Sequence, residues 1–125
     1  MVVKMLFSGL NFHLAFYNGF RYLSNMEKRR CHYSLHDIKA LTASRGADSF
    51  TLTALTNARL MGLSAAQAVA VINTLTPAMF YKSMTTHFNS SVWQDVYHAP
   101  TPVGRIAYIK LTLQDGVVVI QFKEK

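Results

Sequence analysis

Acidic side chains are scarce in this sequence: six Asp and Glu stand against 13 Lys and Arg, for a formal charge of +7 and an isoelectric point near 9.8. A surface so charged attracts polyanions such as nucleic acid. It suits an acidic protein partner equally well, and charge alone does not choose between the two. Cysteine is almost absent. Cys31 stands alone, which excludes an internal disulfide and any cysteine-rich zinc site and fits a reducing cytoplasm. A lone thiol is ordinarily unreactive unless a base lies beside it. No run of about 20 uninterrupted apolar residues is present, so no membrane-spanning helix is expected. No repeat, low-complexity tract or interdomain linker interrupts the chain.

What is present is enough for one domain. The chain has 125 residues, half of them apolar, which permits a single buried core and argues against disorder. Residues 1–25 differ from the rest: they are rich in Phe, Leu and Tyr, and Lys4 and Arg21 are their only charges. Asn11 and His13 interrupt the apolar run, and no small-residue cleavage motif precedes Met26, so a secretory signal does not fit. The polar stretch of Met26, Glu27, Lys28, Arg29 and Arg30 suits the start of a soluble protein. The expected organisation is a non-domain extension over 1–25 and one domain over 26–125, which keeps 11 basic against 6 acidic side chains and a charge of +5. A membrane-surface anchor is the alternative role for the extension.

Helices are expected first. Ser34 and Asp37 resemble a capping box ahead of Leu35, Ile38 and Leu41, and Gly46 closes that helix. Thr51 can cap a second helix with Leu52, Leu55 and Ala58 on one side and Gly62 as its stop. Ser64 and Gln67 form a capping box for a third, whose apolar face is Ala65, Ala68, Val69, Ile72 and Leu75. Thr76 and Pro77 end it and open one further turn through Phe80. From Tyr81 the hydrophobic period falls to about 2, and strands are expected over 81–88, 92–98, 105–114 and 117–123. The fold class is therefore α+β, with N-terminal helices packed on one face of a C-terminal antiparallel sheet.

Asp115 followed by Gly116 is the strongest local signal, because a two-residue type I′ turn needs positive φ at both positions. Counting outward sets Leu113 against Val118, Leu111 against Ile120 and Ile109 against Phe122 on a core face. The other face then pairs Thr112 with Val119, Lys110 with Gln121 and Tyr108 with Lys123. An ammonium beside a phenol can stabilise phosphate charge and move a proton. An ordinary solvated strand face explains the same pattern, and spacing alone favours that plainer explanation.

The run Phe-Tyr-Lys-Ser-Met-Thr-Thr at 80–86, Trp-Gln-Asp-Val-Tyr at 93–97, Gly104 with Tyr-Ile-Lys at 108–110, and Phe-Lys-Glu-Lys at 122–125 closely resembles the MqsR family of toxins. The likeness is strong over 80–125, looser from Met26 through the helical region, and absent from 1–25. It implies a RelE-like fold and a sequence-selective, metal-independent endoribonuclease, an mRNA interferase, with no cofactor. It also implies a preference for GC-containing sites such as GCU in single-stranded mRNA, and neutralisation by a zinc-containing antitoxin, MqsA. Carried over residue by residue, the family's active-site positions fall on Lys82, Gln94, Tyr108 and Lys123. The hairpin count had already placed two of these, Tyr108 and Lys123, side by side.

The implied chemistry is attack of a ribose 2′-OH on the adjacent phosphate. Lys82 and Lys123 would hold phosphate oxygens, Tyr108 would transfer or share a proton, and Gln94 would position the nucleotide. Lys82 and Gln94 share a sheet face only if the loop between their strands has an odd number of residues, as a loop of 89–91 does; Thr86 then faces Gln94 and Lys82 faces His98. The general base is open, since Lys and Tyr ordinarily titrate near 10. His87 and His98 are candidates, with solvated strand-end residues as the simpler reading. The chain departs from the family pattern at His87, Asn89, Ser90 and His98, where relatives commonly carry Tyr, Asp, His and Arg. Those departures motivate the alternative of a catalytically inactive RNA-binding or antitoxin-binding domain.

Overall fold

A computed structural model describes residues 26–86, 89 and 91–125 in full. It also describes the backbone of four short strands, Leu6–Ser8, Leu10–His13, Ala15–Tyr17 and Phe20–Tyr22. Five antiparallel strands stand in the order β1 (Met26–Lys28), β2 (Phe80–Thr85), β3 (Trp93–Pro100), β4 (Ile106–Gln114) and β5 (Val117–Glu124). Leu6–Ser8 and Leu10–His13 continue the sheet outward from β1. Helices α1 (Leu35–Arg45), α2 (Leu52–Leu60) and α3 (Ala65–Asn73) share one apolar core with the opposite side of the sheet. The expected α+β arrangement is the observed one.

Local chemistry sets the helix ends. The Ser34 hydroxyl accepts from Asp37 N at the start of α1, and Gly46 closes it with φ of 59°. Ser64 and Gln67 satisfy each other's backbone reciprocally at the start of α3. Gly62, at φ of 95°, lets the chain leave α2 while Leu63 N returns to Ala58 O. Pro77 opens a single 3-10 turn, Pro77–Met79, before β2 begins at Phe80.

Two helix faces differ from expectation. Leu52 is 81% exposed, because α2 docks through the small Ala54 and Ala58, followed by Met61. Small side chains let α2 approach the β5 edge closely enough for Asn57 Nδ2 to donate to Phe122 O at 3.0 Å. Thr51 N similarly donates to Ile120 O, so α2 and its cap cover backbone groups that an edge strand leaves open. In α3 the buried set is Ala68, Val71 and Ile72, and Ala65 is exposed on the first turn.

The sheet registers decide the rest. All β4–β5 pairs agree with the count from the Asp115–Gly116 turn, including Tyr108 with Lys123 and Ile109 with Phe122. In the β2–β3 pair the expected register is two residues out: Met84 faces Gln94, Ser83 faces Asp95 and Lys82 faces Val96. The cause is local. The Thr86 hydroxyl accepts from Asn89 N, and Thr86 N donates to Val92 O, so the turn starts earlier than a loop of 89–91 allows. A two-residue shift preserves the face of every side chain. His87 and Phe88, at the end of the strand expected over 81–88, and Ser90, in the loop expected over 89–91, lie outside the described residues. β1 was not anticipated at all: its residues read as a polar chain start, yet Glu27 pairs with Met84 and Lys28 with Ser83.

A buried carboxylate ties β1 to the core. Asp95, 1% exposed, accepts from His32 N with both oxygens at 2.9 Å and from Tyr33 N at 2.8 Å. The turn between β1 and α1 is thereby fixed against β3, with Tyr33 Oη donating to Trp93 O at 2.7 Å. Hydrogen bonds to a charged acceptor are strong, and removing the acceptor leaves donors unmet. Asp95→Ala should lower stability by about 2–4 kcal/mol, read as a reduced urea midpoint at unchanged slope.

Candidate active site

On the sheet face turned away from the helices, side chains fall into three cross-strand rows. The first runs Glu27, Met84, Gln94, Thr112 and Val119; the second Lys82, Val96, Lys110 and Gln121; the third His98, Tyr108 and Lys123. All four residues singled out from the family pattern, Lys82, Gln94, Tyr108 and Lys123, therefore project from one face. Tyr108 and Lys123 are direct neighbours, with the Lys123 ammonium 5.3 Å from the phenol ring centre. Gln94 is the outlying member: it is buried, and lies four residues of strand, roughly 13 Å, from the Tyr108 row.

Position along the strands explains how separate segments supply one cluster. The β2–β3 ladder contains a bulge between Phe80 and Lys82, where one extra residue, Tyr81, enters β2. Bulges re-aim side chains, and here the Tyr81 ring stacks on His98 with centroids 4.5 Å apart. His98 in turn lies 5.3 Å from the Tyr108 ring, so three rings from three strands form a continuous layer. His98 is thus not the solvated strand-end residue the sequence suggested. It is half-buried inside β3, and its Nε2 is buried with no hydrogen-bond partner among the described residues.

Electrostatically the face is a cation cluster with one carboxylate. The Lys82 ammonium donates to Glu27 Oε2 at 2.7 Å, with side chains 16% and 30% exposed respectively. Lys110 stands two strands from Lys82 with only Val96 between them in the row. Burial lowers the Lys110 ammonium below the usual lysine range, and the charges of Lys123 and Lys82 lower it further. Tyr108 moves the other way: burial raises its phenol, with Tyr81 and Glu27 adding to the rise and Lys82 opposing it. Burial, then Lys125, lowers the His98 imidazole, which favours its neutral form. At neutral pH the face thus offers ammonium and phenol donors and an uncharged imidazole. Beside Tyr108, Lys110 and Lys123, a cavity of about 400 Å³ opens toward Thr53 and Asn57 of α2. That volume is in the range of small-molecule sites.

The chain matches the family described as motility quorum-sensing regulator, toxin of MqsA, over residues 30–124. It belongs to the MqsR toxin family. It is 40% identical over 100 residues to the mRNA interferase toxin MqsR of Escherichia coli (strain K12), covering 80% of this chain and 100% of that relative.

Counting along the sequence set Lys82 and Gln94 on one side of the sheet and Tyr108 beside Lys123 on the non-core face, but passed over other members of the cluster. Lys110 was already assigned to that face by the hairpin count, and only its proximity to Lys82 and Lys123 marks it as part of the cluster. Glu27 had no usable signal, since a three-residue strand shows no period. Tyr81 joins the ring layer only through a bulge, which alternation cannot reveal. If the ammonium groups share one field, Lys123→Met should raise the Lys110 titration toward the ordinary lysine range, followed by NMR of the lysine side-chain resonances. An unchanged Lys110 titration in that variant would show that the two charges do not interact.

Proposed function

We propose that this chain is a toxin endoribonuclease that cleaves single-stranded mRNA in the cytoplasm without a metal ion, through Lys82, Gln94, Tyr108 and Lys123. The observation that carries the reading is that those four side chains, from separate strands, share one sheet face, with Tyr108 and Lys123 beside an open cavity. The functional domain is residues 26–125, a boundary supported by the family match over residues 30–124. Its partner is an MqsA-like antitoxin, as the family description states for its members.

The roles follow from the chemistry of each group. Attack of a 2′-oxygen on the neighbouring phosphorus builds negative charge on the non-bridging oxygens. Lys82 and Lys123 neutralise it from two sides, and each preplaced donor contributes about 2.7–4 kcal/mol to such a transition state. Tyr108 keeps its proton at neutral pH, because burial raises its phenol, so it serves as a donor to a phosphate oxygen or to the departing 5′-oxygen. The Gln94 amide, further along the face, positions the adjoining nucleotide. The preference for GC-containing sites such as GCU belongs to the same proposal, with side chains near Gln94 and the cavity as its natural readers.

The decisive experiment is incubation of the full chain, free of antitoxin, with a defined RNA in EDTA. Cleavage should persist and leave a 2′,3′-cyclic phosphate or its hydrolysis product. Lys82→Ala should slow cutting by about 100-fold or more, while remaining folded by circular dichroism. RNA that stays intact with the parent chain would favour a second reading, a binding domain without catalysis. The observation behind that reading is His98, an imidazole biased toward its neutral form where the family pattern commonly carries an arginine. It calls for RNA binding that weakens steeply with salt and no strand scission.

A further inference from the structure

The four family positions include no group suited to take a proton from a 2′-OH at neutral pH. Gln94 is an amide, Lys82 and Lys123 serve this site as cationic donors, and burial raises the Tyr108 phenol above its ordinary value, which keeps it protonated. Yet the attacking hydroxyl must lose its proton as the bond to phosphorus forms. Two other groups on this face can accept one, Glu27 and His98. The His98 Nε2 is buried, and its ring is held between those of Tyr81 and Tyr108. Glu27 is different: β1 holds it opposite Met84, two residues along β2 from Lys82 and on the same face, and its carboxylate reaches the Lys82 ammonium at 2.7 Å.

We infer that Glu27 is the general base of this site, a role that rests on the ribonuclease reading above. The geometry that supports it is the ion pair. An ammonium carries three donors, so Lys82 can keep one on Glu27 and place the others on a phosphate oxygen. One lysine then sets the carboxylate next to the phosphate whose 2′-OH must be deprotonated. It also offsets the repulsion between carboxylate and phosphate. The charged and titratable groups around Glu27 are Lys82 from β2 and Tyr108 from β4, with Tyr81 at the rim and Arg29 over the Tyr81 ring at 5.7 Å.

The step balances without any co-reactant. The Glu27 carboxylate takes the proton of the ribose 2′-OH, and the 2′-oxygen forms a bond to phosphorus. The bond from phosphorus to the 5′-oxygen breaks, and that oxygen receives a proton from Tyr108. The products are a 2′,3′-cyclic phosphate and a 5′-hydroxyl end. Glu27 then loses its proton to water and Tyr108 regains one.

The test is single-turnover cleavage of a defined RNA by the full chain in EDTA, across acid to mildly alkaline pH, with Glu27→Gln, Glu27→Asp and His98→Gln beside the parent. Glutamine keeps an oxygen for Lys82 but cannot accept the proton. Glu27→Gln should therefore lose about 100-fold or more in rate, with RNA affinity equal or tighter. The acid limb of the parent profile should vanish in that variant. Glu27→Asp should retain part of the rate together with the limb, and His98→Gln should keep the limb. Circular dichroism on each variant separates loss of the base from loss of fold, and Glu27→Asp decides the question if Glu27→Gln does not fold. Glu27→Gln cutting within tenfold of the parent, or an acid limb that His98→Gln removes, overturns the assignment of Glu27 alone. RNA left intact by the parent overturns the ribonuclease reading as well.

Discussion

The register of the β4–β5 hairpin is the constraint on which both the fold and the site depend. Asp115 and Gly116 turn the chain at φ of 53° and 76°, values that a type I′ turn needs. With that turn in place, Ile109, Leu111, Val118, Ile120 and Phe122 all enter the core, and Tyr108, Lys110, Gln121 and Lys123 all leave it. A slip of one residue would exchange the two sets, exposing Phe122 and driving Lys123 into an apolar interior. Exposing one such aromatic costs about 1.5–3 kcal/mol, and a buried unpaired ammonium costs more. The force that gathers the polar groups is thus the burial of the apolar ones behind them.

That coupling explains what the sequence made legible. Where side chains alternate and a turn type is unmistakable, register follows by counting, and Tyr108 beside Lys123 came from the residues alone. Lys82 and Gln94 were placed on one face for the right reason, an odd-numbered connection, although the register itself was two residues out. Parity survives such an error, while contacts do not: Lys82 meets Val96, and His98 meets Tyr108. Leu52 and Ala65 misled for another reason. Both sit in first helical turns, where the side that docks depends on the neighbour approached, and α2 reaches β5 through alanines that a hydrophobicity pattern underrates. β1 left no trace because its pairing depends on a carboxylate far along the chain. Asp95 captures the backbone of His32 and Tyr33, and the segment before them is carried to the edge of β2.

The composition also takes on a local meaning. Three lysines on one face, from β2, β4 and β5, repel one another, and the titration of Lys110, lowered first by burial, records part of that repulsion. Such a cluster lessens the stability of the empty protein and favours any polyanion that enters, because the ligand removes the repulsion as it binds. Glu27 relieves one lysine without neutralising the face. A surface with the same charges evenly spread would attract RNA but would not bend a sugar-phosphate link against several cations at once.

The arrangement of the rows then divides the demands of a single strand of RNA. Phosphates need fixed charge, and bases need flat, polarisable surfaces. The row of Lys82 and Lys110 supplies the first, while the layer of Tyr81, His98 and Tyr108 supplies the second at its border, with Lys123 closing the end. An arginine at position 98 would extend the charge into that layer; the half-buried imidazole, biased toward its neutral form, instead completes the ring surface. On the proposed reading, a ring at position 98 holds no phosphate and instead packs between Tyr81 and Tyr108. That packing leaves the charged groups untouched, since Lys82, Tyr108 and Lys123 stay where the sheet puts them.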